Sequence, residues 1–185
     1  TRLQNRAHVI LGTIESGNLI TVFTDGDEAW VDMRNDDPTW LDQGRQFTWL
    51  SERDGWRHLY LVGRTGGEAQ LVTAGDYDVI DLEHVDGSGG WAYFTASPED
   101  PTSRSLFRTR LSGGGQPERL TPVGARGTHT YQISDDSRWA IHTSSARERA
   151  PVTELVSLPD HATRRVLEDN AAVQQAFDAI ARRPI

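Results

Sequence analysis

The sequence contains no cysteine and no lysine, and its only methionine is Met33. Without cysteine the chain can form no disulfide, no thiolate metal site and no cysteine nucleophile. Without lysine it has no side-chain amine for Schiff-base chemistry. Because the sequence starts at Thr1 and holds no initiator methionine, we expect it to be a piece of a longer protein.

Long apolar runs and positive charge are also scarce. No apolar run approaches the roughly 20 residues that cross a bilayer, and no signal-peptide pattern opens the sequence. The 27 acidic residues outnumber the 19 basic ones, which gives a formal net charge of -8. A general nucleic-acid binder presents a basic face instead. We therefore expect neither a nucleic-acid nor a membrane partner.

The short motifs that carry catalysis are missing as well. The sequence has no G-x-S-x-G elbow, no P-loop, no dinucleotide fingerprint and no H-E-x-x-H pair. The acidic clusters at 35–37 and 76–81 do not have the spacing of a calcium loop. The six histidines are scattered, at His8, His58, His84, His129, His142 and His161. We assign no catalytic residue, no metal and no cofactor to this chain.

What the sequence does contain is a repeat of β-hairpins. One type has a strand, a turn with aspartate and an aromatic-rich strand, at 39–50, 82–94 and 131–141. Asp and Gly suit such turns because Asp bonds nearby amides and Gly accepts positive φ. A second type follows at 58–73, 105–121 and 153–167, and an earlier copy lies at 8–24. Thr24, Thr73 and Thr121 share one register in it.

Two hairpins make four strands in about 45 to 49 residues, which is the size of a β-propeller blade. The sequence therefore predicts an all-β fold, a partial β-propeller of four-stranded antiparallel blades with a C-terminal helix. Four second hairpins and three first hairpins amount to about three and a half blades. We place a blade remnant at 1–30, blades at 31–75, 76–124 and 125–167, and a helical tail at 168–185.

The tail is predicted as a helix because Val173, Phe177 and Ile180 share one helical face. Asp169 or Asn170 can cap its start by accepting a bond from a free backbone amide. Pro184 ends it. We expect this helix to pack on another element or to lead into a following domain.

Tryptophan allows two interpretations. Six tryptophans interleaved with arginines are compatible with a stacking surface for bases or sugars. The alternative is core filling between blades, which we favour for the four that occupy strand positions of the first hairpins. These are Trp40, Trp49, Trp91 and Trp139.

Several strings resemble the propeller of the dipeptidyl peptidase IV family of serine exopeptidases, in the prolyl oligopeptidase clan. They occur in family order and in matching blade positions. They are F-T-W-L-S-E-R-D-G-W-R-H-L-Y-L at 47–61, Y-F-T-A-S-P-E-D-P at 93–101, P-E-R-L-T at 117–121, G-T-H at 127–129 and R-V-L-E-D-N-A-A at 165–172. The S-E-R-D-G string at 51–55 is predicted to be a turn that joins the two hairpins of a blade and contains a local ion pair.

The resemblance implies a parent with an eight-bladed propeller and a C-terminal α/β-hydrolase domain that bears a Ser-Asp-His triad. Such enzymes remove Xaa-Pro or Xaa-Ala dipeptides from peptide N-termini. The family's G-W-S-Y-G-G nucleophile string and its paired amine-binding glutamates are absent here, so this chain alone is expected to be inactive. Arg34 matches an arginine that lines the outer substrate pocket in some members.

The resemblance implies a role as the substrate-gating and assembly segment of the propeller, with the hydrolase domain and peptide substrates as partners. We also expect homo-oligomers, because an incomplete propeller exposes strand edges. A non-enzymatic TolB-like or WD-like propeller that binds proteins or ligands fits the repeat period equally well. A glycan-binding propeller rests on the tryptophans alone. A hydrolase domain in the same parent chain would decide between the first two.

Overall fold

The computed structural model describes residues 2–32 and 38–181. Fourteen strands and one α-helix form in this part of the chain. They are β1 (Arg6–Gly12), β2 (Leu19–Gly26), β3 (Trp40–Leu41), β4 (Gln46–Ser51), β5 (His58–Gly63), β6 (Gln70–Leu71), β7 (Val79–Asp86), β8 (Trp91–Ala96), β9 (Ser105–Arg110), β10 (Glu118–Arg119), β11 (Thr128–Ile133), β12 (Trp139–Ala146), β13 (Arg149–Ser157), β14 (Thr163–Glu168) and α1 (Ala171–Ala181).

The strands form three four-stranded sheets and one two-stranded sheet, and within each sheet every strand pairs with its neighbour along the chain. The four-stranded sheets are β3–β6, β7–β10 and β11–β14, and the two-stranded sheet is β1–β2. This antiparallel meander is the strand order of a propeller blade. The predicted hairpins of both types are therefore present, three of the first type and four of the second.

Two compact units divide the chain, each with its own apolar core. The first comprises residues 1–79 and 109–116, and the second comprises 80–108 and 117–185. In the first unit the core consists of Val22, Phe23, Phe47 and Val62. In the second it consists of Tyr93, Leu106, Leu120, Tyr131, Ala140, Val156 and Leu158.

A threonine after the last strand of a sheet recurs as an anchor. The hydroxyl Oγ1 of Thr73 accepts a 2.9 Å hydrogen bond from the amide of Leu59, and that of Thr121 accepts a 2.8 Å bond from the amide of Leu106. Both threonines are buried. Thr24 shares their register in sequence, but it is exposed and its hydroxyl lies 3.0 Å from Nδ1 of His8.

The C-terminal helix is capped by one of the residues that the sequence predicts. Glu168 is the last residue of β14 and pairs with Thr153, and Asn170 has a left-handed φ of 51°. The carboxylate of Asp169 accepts a bond from the amide of Ala171, as a capping residue does. Helix α1 therefore begins at Ala171, directly after the two predicted capping residues, and residue 168, the first of the predicted tail, belongs to β14.

Polar bonds attach α1 to the chain around β13. The side chain of Gln174 accepts from the amide of Ala150 at 2.7 Å and donates to the carbonyl of Glu148 at 3.1 Å. The side chain of Asn170 donates to the carbonyl of Pro151 at 2.7 Å. Val173 and Phe177, which the sequence places on the apolar face, are 43% and 44% exposed. The side chain of Ile180 lies outside the described residues.

Within the described ranges, no helix has the length and apolar character that a membrane span requires.

Candidate functional site

Arg34 is the one binding residue that the sequence suggests, and it lies outside the described residues, together with the acidic cluster at 35–37. The other acidic cluster serves the backbone and a neighbouring side chain. Asp78 accepts a 2.8 Å bond from the amide of Arg57, and Asp81 pairs with Arg104 at 2.9 Å.

The tryptophans divide into two groups. Trp49 packs against the core of the first unit and Trp91 against that of the second, so core filling is correct for both. Trp40 and Trp139 are each 39% exposed. The ring of Trp40 packs against that of Phe47 with centroids 5.0 Å apart, and the guanidinium of Arg64 lies 5.3 Å from the centre of the indole.

A buried carboxylate organises the turn after β4. Asp25 accepts from the indole nitrogen of Trp49 at 2.9 Å and from the hydroxyl of Ser51 at 2.7 Å. It also pairs with a guanidinium nitrogen of Arg53 at 3.0 Å. The Arg53 guanidinium lies 4.5 Å from the centre of the Phe23 ring, within cation–π distance. The ion pair therefore joins β2 to the β4–β5 turn, and the expectation of a local pair within 51–55 is wrong.

A second carboxylate in the same turn holds a buried histidine. Asp54 Oδ2 lies 2.8 Å from Nδ1 of His58, which is 2% exposed. Burial opposes ionisation of Asp54, but hydrogen bonds from His58 and Tyr60 outweigh it and lower the pKa of that carboxyl. Burial first, and then the bond to Asp54, raise the pKa of the Tyr60 hydroxyl. Arg53 and Asp54 of this turn thus have partners on the neighbouring strands, Asp25 of β2 and His58 of β5.

A groove of about 500 Å³ lies beside these networks, in the first unit. Its lining includes Phe23, Arg53, Asp54, Tyr60 and Glu68. In the second unit a cavity of about 190 Å³ is lined in part by Glu99, Asp100, Arg119 and Arg126. There Arg119 is paired with Glu99, and Asp100 accepts bonds from Thr102 and Ser103. Most of the charged groups that line the two cavities already have protein partners.

Three histidines that are distant in sequence meet inside the sheet β11–β14. Nδ1 of His129 lies 2.8 Å from Nε2 of His142, and the two rings are stacked with centroids 5.1 Å apart. The ring of His161 packs edge-on against that of His142 at 4.9 Å. Nε2 of His161 lies 2.9 Å from the hydroxyl of Tyr131, which in turn lies 2.8 Å from that of Thr121. We call these three residues the histidine cluster.

Burial keeps the histidine cluster neutral. It lowers the pKa of His142 to about 3, and the neighbouring His161 and His129 add to this effect. Burial also lowers the pKa of His129 and of His161. A nearby carboxyl shifts the other way, because burial raises the pKa of Glu83 to about 7.

Sequence reasoning missed the histidine cluster because spacing along the chain does not reveal it. The signal was the register of the third first-type hairpin, in which Tyr131 pairs with His142 and His129 with Ser144. Side chains two residues apart on a strand share a face, so His129 lies diagonally from His142. His161 comes from the β13–β14 turn and had no such signal. Within the described ranges, no group of three His, Cys, Asp or Glu side chains could hold a metal ion.

Comparison with known proteins agrees with this architecture. The sheets define a partial β-propeller, and the model of the dipeptidyl peptidase IV (DPP IV) N-terminal region matches residues 1–151. The chain belongs to this family. It is similar to the crystal structure of Porphyromonas gingivalis dipeptidyl peptidase 4, with a TM-score of 0.84 and 25% identity over 96% of this chain and 25% of that one.

Curated relatives point the same way. A probable dipeptidyl peptidase 4 of Aspergillus fumigatus is 26% identical over 183 residues, which are 95% of this chain and 23% of its own length. A probable dipeptidyl-aminopeptidase B of Emericella nidulans is 31% identical over 136 residues, 70% of this chain and 15% of its own length. The chain thus spans about a quarter or less of these relatives, in which the region is one part of a longer protein.

Proposed function

We propose that this chain is the substrate-gating and assembly segment of the propeller of a serine exopeptidase that removes Xaa-Pro or Xaa-Ala dipeptides from peptide N-termini. The observation that carries the proposal is the match of residues 1–151 to the N-terminal region of the dipeptidyl peptidase IV family. The catalytic α/β-hydrolase domain would be supplied by the same parent chain, beyond the helical tail.

The proposed role follows from the shape of propellers. A ring of blades surrounds a channel, and a channel of that kind admits short extended peptides while it excludes folded proteins. Exclusion of water and fixed positioning of the substrate would then assist the chemistry in the neighbouring domain. The chain's own contribution is a set of antiparallel sheets, two of which carry the buried anchors Thr73 and Thr121.

A substrate series of increasing size tests the gating role in the intact parent protein. One Xaa-Pro N-terminus is placed on a dipeptide chromophore, on a peptide of about 30 residues and on a folded protein, and kcat/KM is measured for each. We expect cleavage of the first two and a large loss for the folded protein. The same protein in denatured form, kept soluble, is the matched control and should be cleaved. Equal rates on the folded and denatured forms would contradict a gate.

The arginine at position 34 is the proposed substrate contact. We expect Arg34→Ala to raise KM for substrates that extend past the dipeptide and to leave kcat unchanged, because a contact made equally in ground and transition states affects binding alone. Arg45→Ala is the control, since Arg45 is an exposed arginine paired with Asp42. Identical kinetics for the two variants would contradict a contact between Arg34 and the substrate.

The reading frame of the parent gene distinguishes this proposal from the scaffold alternative. A following domain with G-W-S-Y-G-G and later Asp and His would support the peptidase. Further blades in its place would favour a non-enzymatic binding propeller.

A further inference from the structure

The histidine cluster has a second property that the proposed function does not use. Its three imidazoles come from β11, β12 and the β13–β14 turn, so one cluster ties together all four strands of a sheet. His129, His142 and His161 are 2%, 4% and 9% exposed. Tyr131 stacks on His142 at 4.7 Å and packs edge-on against His161 at 5.7 Å. Aromatic rings therefore surround His142 on several sides.

The charged groups around the cluster offer little compensation for a proton. Oε2 of Glu154 lies 3.6 Å from Nδ1 of His142, beyond hydrogen-bond distance for this pair, and its side chain is partly exposed. Nδ1 of His142 is buried without a hydrogen-bond partner among the described residues. The other charged groups that act on the cluster or on Tyr131 are Arg119 of β10, Arg149 of β13, Asp160 of the β13–β14 turn and Glu83 of β7.

Another buried histidine of the chain, His58, has a carboxylate partner that the histidine cluster lacks. His58 is also almost fully buried, but the carboxylate of Asp54 lies 2.8 Å from its Nδ1 and can accept a hydrogen bond from that nitrogen when it is protonated. In the histidine cluster the partner of an imidazole nitrogen is another imidazole or a phenol. A neutral ring can donate to another neutral ring, whereas two protonated rings at this distance repel each other.

We propose that the histidine cluster is an acid-sensitive lock on the sheet β11–β14, which holds the sheet closed at neutral pH and lets it open selectively when the pH falls below about 6.5. The opened sheet exposes the imidazoles to water, and each takes up one proton from solvent. No covalent step is involved.

The direction of the pH effect follows from the linkage between proton binding and opening of the sheet. Each histidine has a pKa in the closed sheet below the unfolded value of about 6.5, so the open state binds more protons. The stabilisation is present above that pH and is lost as the pH falls. At pH 5.5 each histidine that stays neutral in the closed sheet favours opening by about tenfold relative to pH 7.5, up to about a thousandfold for three. Glu83 has the opposite effect on stability. Burial raises its pKa, so its protonation at lower pH favours the folded state.

Hydrogen exchange followed by mass spectrometry tests the lock in the intact protein. Peptides from β11–β14 are compared with peptides from β3–β6 at several pH values between about 7.5 and 5.5, after correction for intrinsic exchange. We expect the opening equilibrium in β11–β14 to rise by at least about tenfold toward pH 5.5. The reference sheet β3–β6 should change by less than about threefold.

Two variants test whether the histidine cluster causes the pH response of β11–β14. We expect His142→Phe to reduce the pH response of β11–β14 by about tenfold, because the ring stays and its titration is removed. His161→Gln is the second variant, at the edge of the cluster, and should reduce the response in the same direction. His8→Gln is the matched control, since His8 is an exposed histidine on β1. Its response should equal that of the unmodified protein.

Three results would overturn the proposal. They are a flat response in β11–β14, an equal response in β3–β6, and a response that both cluster variants retain in full. The unmodified protein alone supplies the first two, so a variant that does not fold leaves the test intact.

Discussion

Thr73 and Thr121 occupy the same position in two successive sheets and make the same bond. In each case a buried hydroxyl accepts from the amide of a leucine in the third strand of its sheet, which would otherwise lack a partner in the core. A buried amide that loses its acceptor costs more than the bond itself contributes. The repeated threonine of the sequence is therefore a repeated anchor of the fold.

We expect Thr73→Val to lower the free energy of unfolding by about 1–3 kcal/mol, because the amide of Leu59 is left unsatisfied in the core. Thr121→Val should cost more, since Thr121 also bonds the hydroxyl of Tyr131. Thr24→Val is the control, because Thr24 is exposed, and should stay within about 0.5 kcal/mol. Chemical denaturation measures all three. A Thr24→Val cost equal to that of Thr73→Val would contradict the anchor.

Residue patterns predicted some contacts and missed others. The register of the threonines was visible because it repeats every 48 or 49 residues. The partner of Arg53 was not, because Asp25 lies 28 residues earlier on another hairpin. The histidine cluster required both the pairing of β11 with β12 and the position of the β13–β14 turn. Contacts set by a local period can be predicted, and contacts set by the packing of separate hairpins cannot.

At the scale of elements, the turn into β11 depends on one glycine. Gly127 has φ +107°, and a Cβ added there would lie 2.1 Å from the carbonyl oxygen of Ser145 on the neighbouring strand β12. Its own carbonyl accepts a 2.9 Å bond from the amide of Arg104. Both the backbone angle and the close approach of the strands therefore require glycine.

We expect Gly127→Ala to destabilise the protein by about 2–4 kcal/mol, the sum of left-handed strain and steric overlap. Gly124→Ala separates the two contributions. Gly124 has a similar positive φ of +86°, but its added Cβ would meet no atom within 4 Å. Its cost should be about 1–2 kcal/mol. Thermal or denaturant unfolding of the pair provides the measurement, and equal costs would show that the overlap with Ser145 relaxes freely.

The elements themselves were largely predictable. Alternating strands and turn residues located every hairpin, and the structure confirms the partial propeller with its C-terminal helix. The capping residue at the helix start was predictable too, since Asp169 accepts a bond from the amide of Ala171, and the first residue of the predicted tail, 168, is the last residue of β14. Trp40 and Trp139 are more exposed than core filling predicts, because the sequence gives no measure of how fully a strand face is covered.

At the scale of the whole molecule, the β1–β2 hairpin carries several exposed apolar residues. Ile10, Ile14, Leu19 and Ile20 are between 53% and 97% exposed. Strand β1 pairs with β2 along one edge, and no other strand in 2–32 or 38–181 pairs with its second edge. An open edge next to apolar side chains favours pairing with another chain.

We expect the 185-residue chain on its own to self-associate at tens of micromolar, and Ile10→Lys to reduce this association, because a charge on an edge strand disfavours pairing. Val123→Lys is the control, since Val123 is an exposed residue of a loop in the other unit. Light scattering over a concentration series measures the mass. A monodisperse monomer for the unmodified chain, or equal effects of both variants, would contradict an interface at this hairpin.

The most direct test of the proposed function is the product that the intact parent protein releases from a peptide with proline at its second position. Mass spectrometry should show the N-terminal Xaa-Pro dipeptide and the shortened peptide from the parent protein, and unchanged peptide from the 185-residue chain alone. Intact peptide after incubation with the parent protein, or single amino acids in place of the dipeptide, would contradict the assignment to a dipeptide-releasing enzyme.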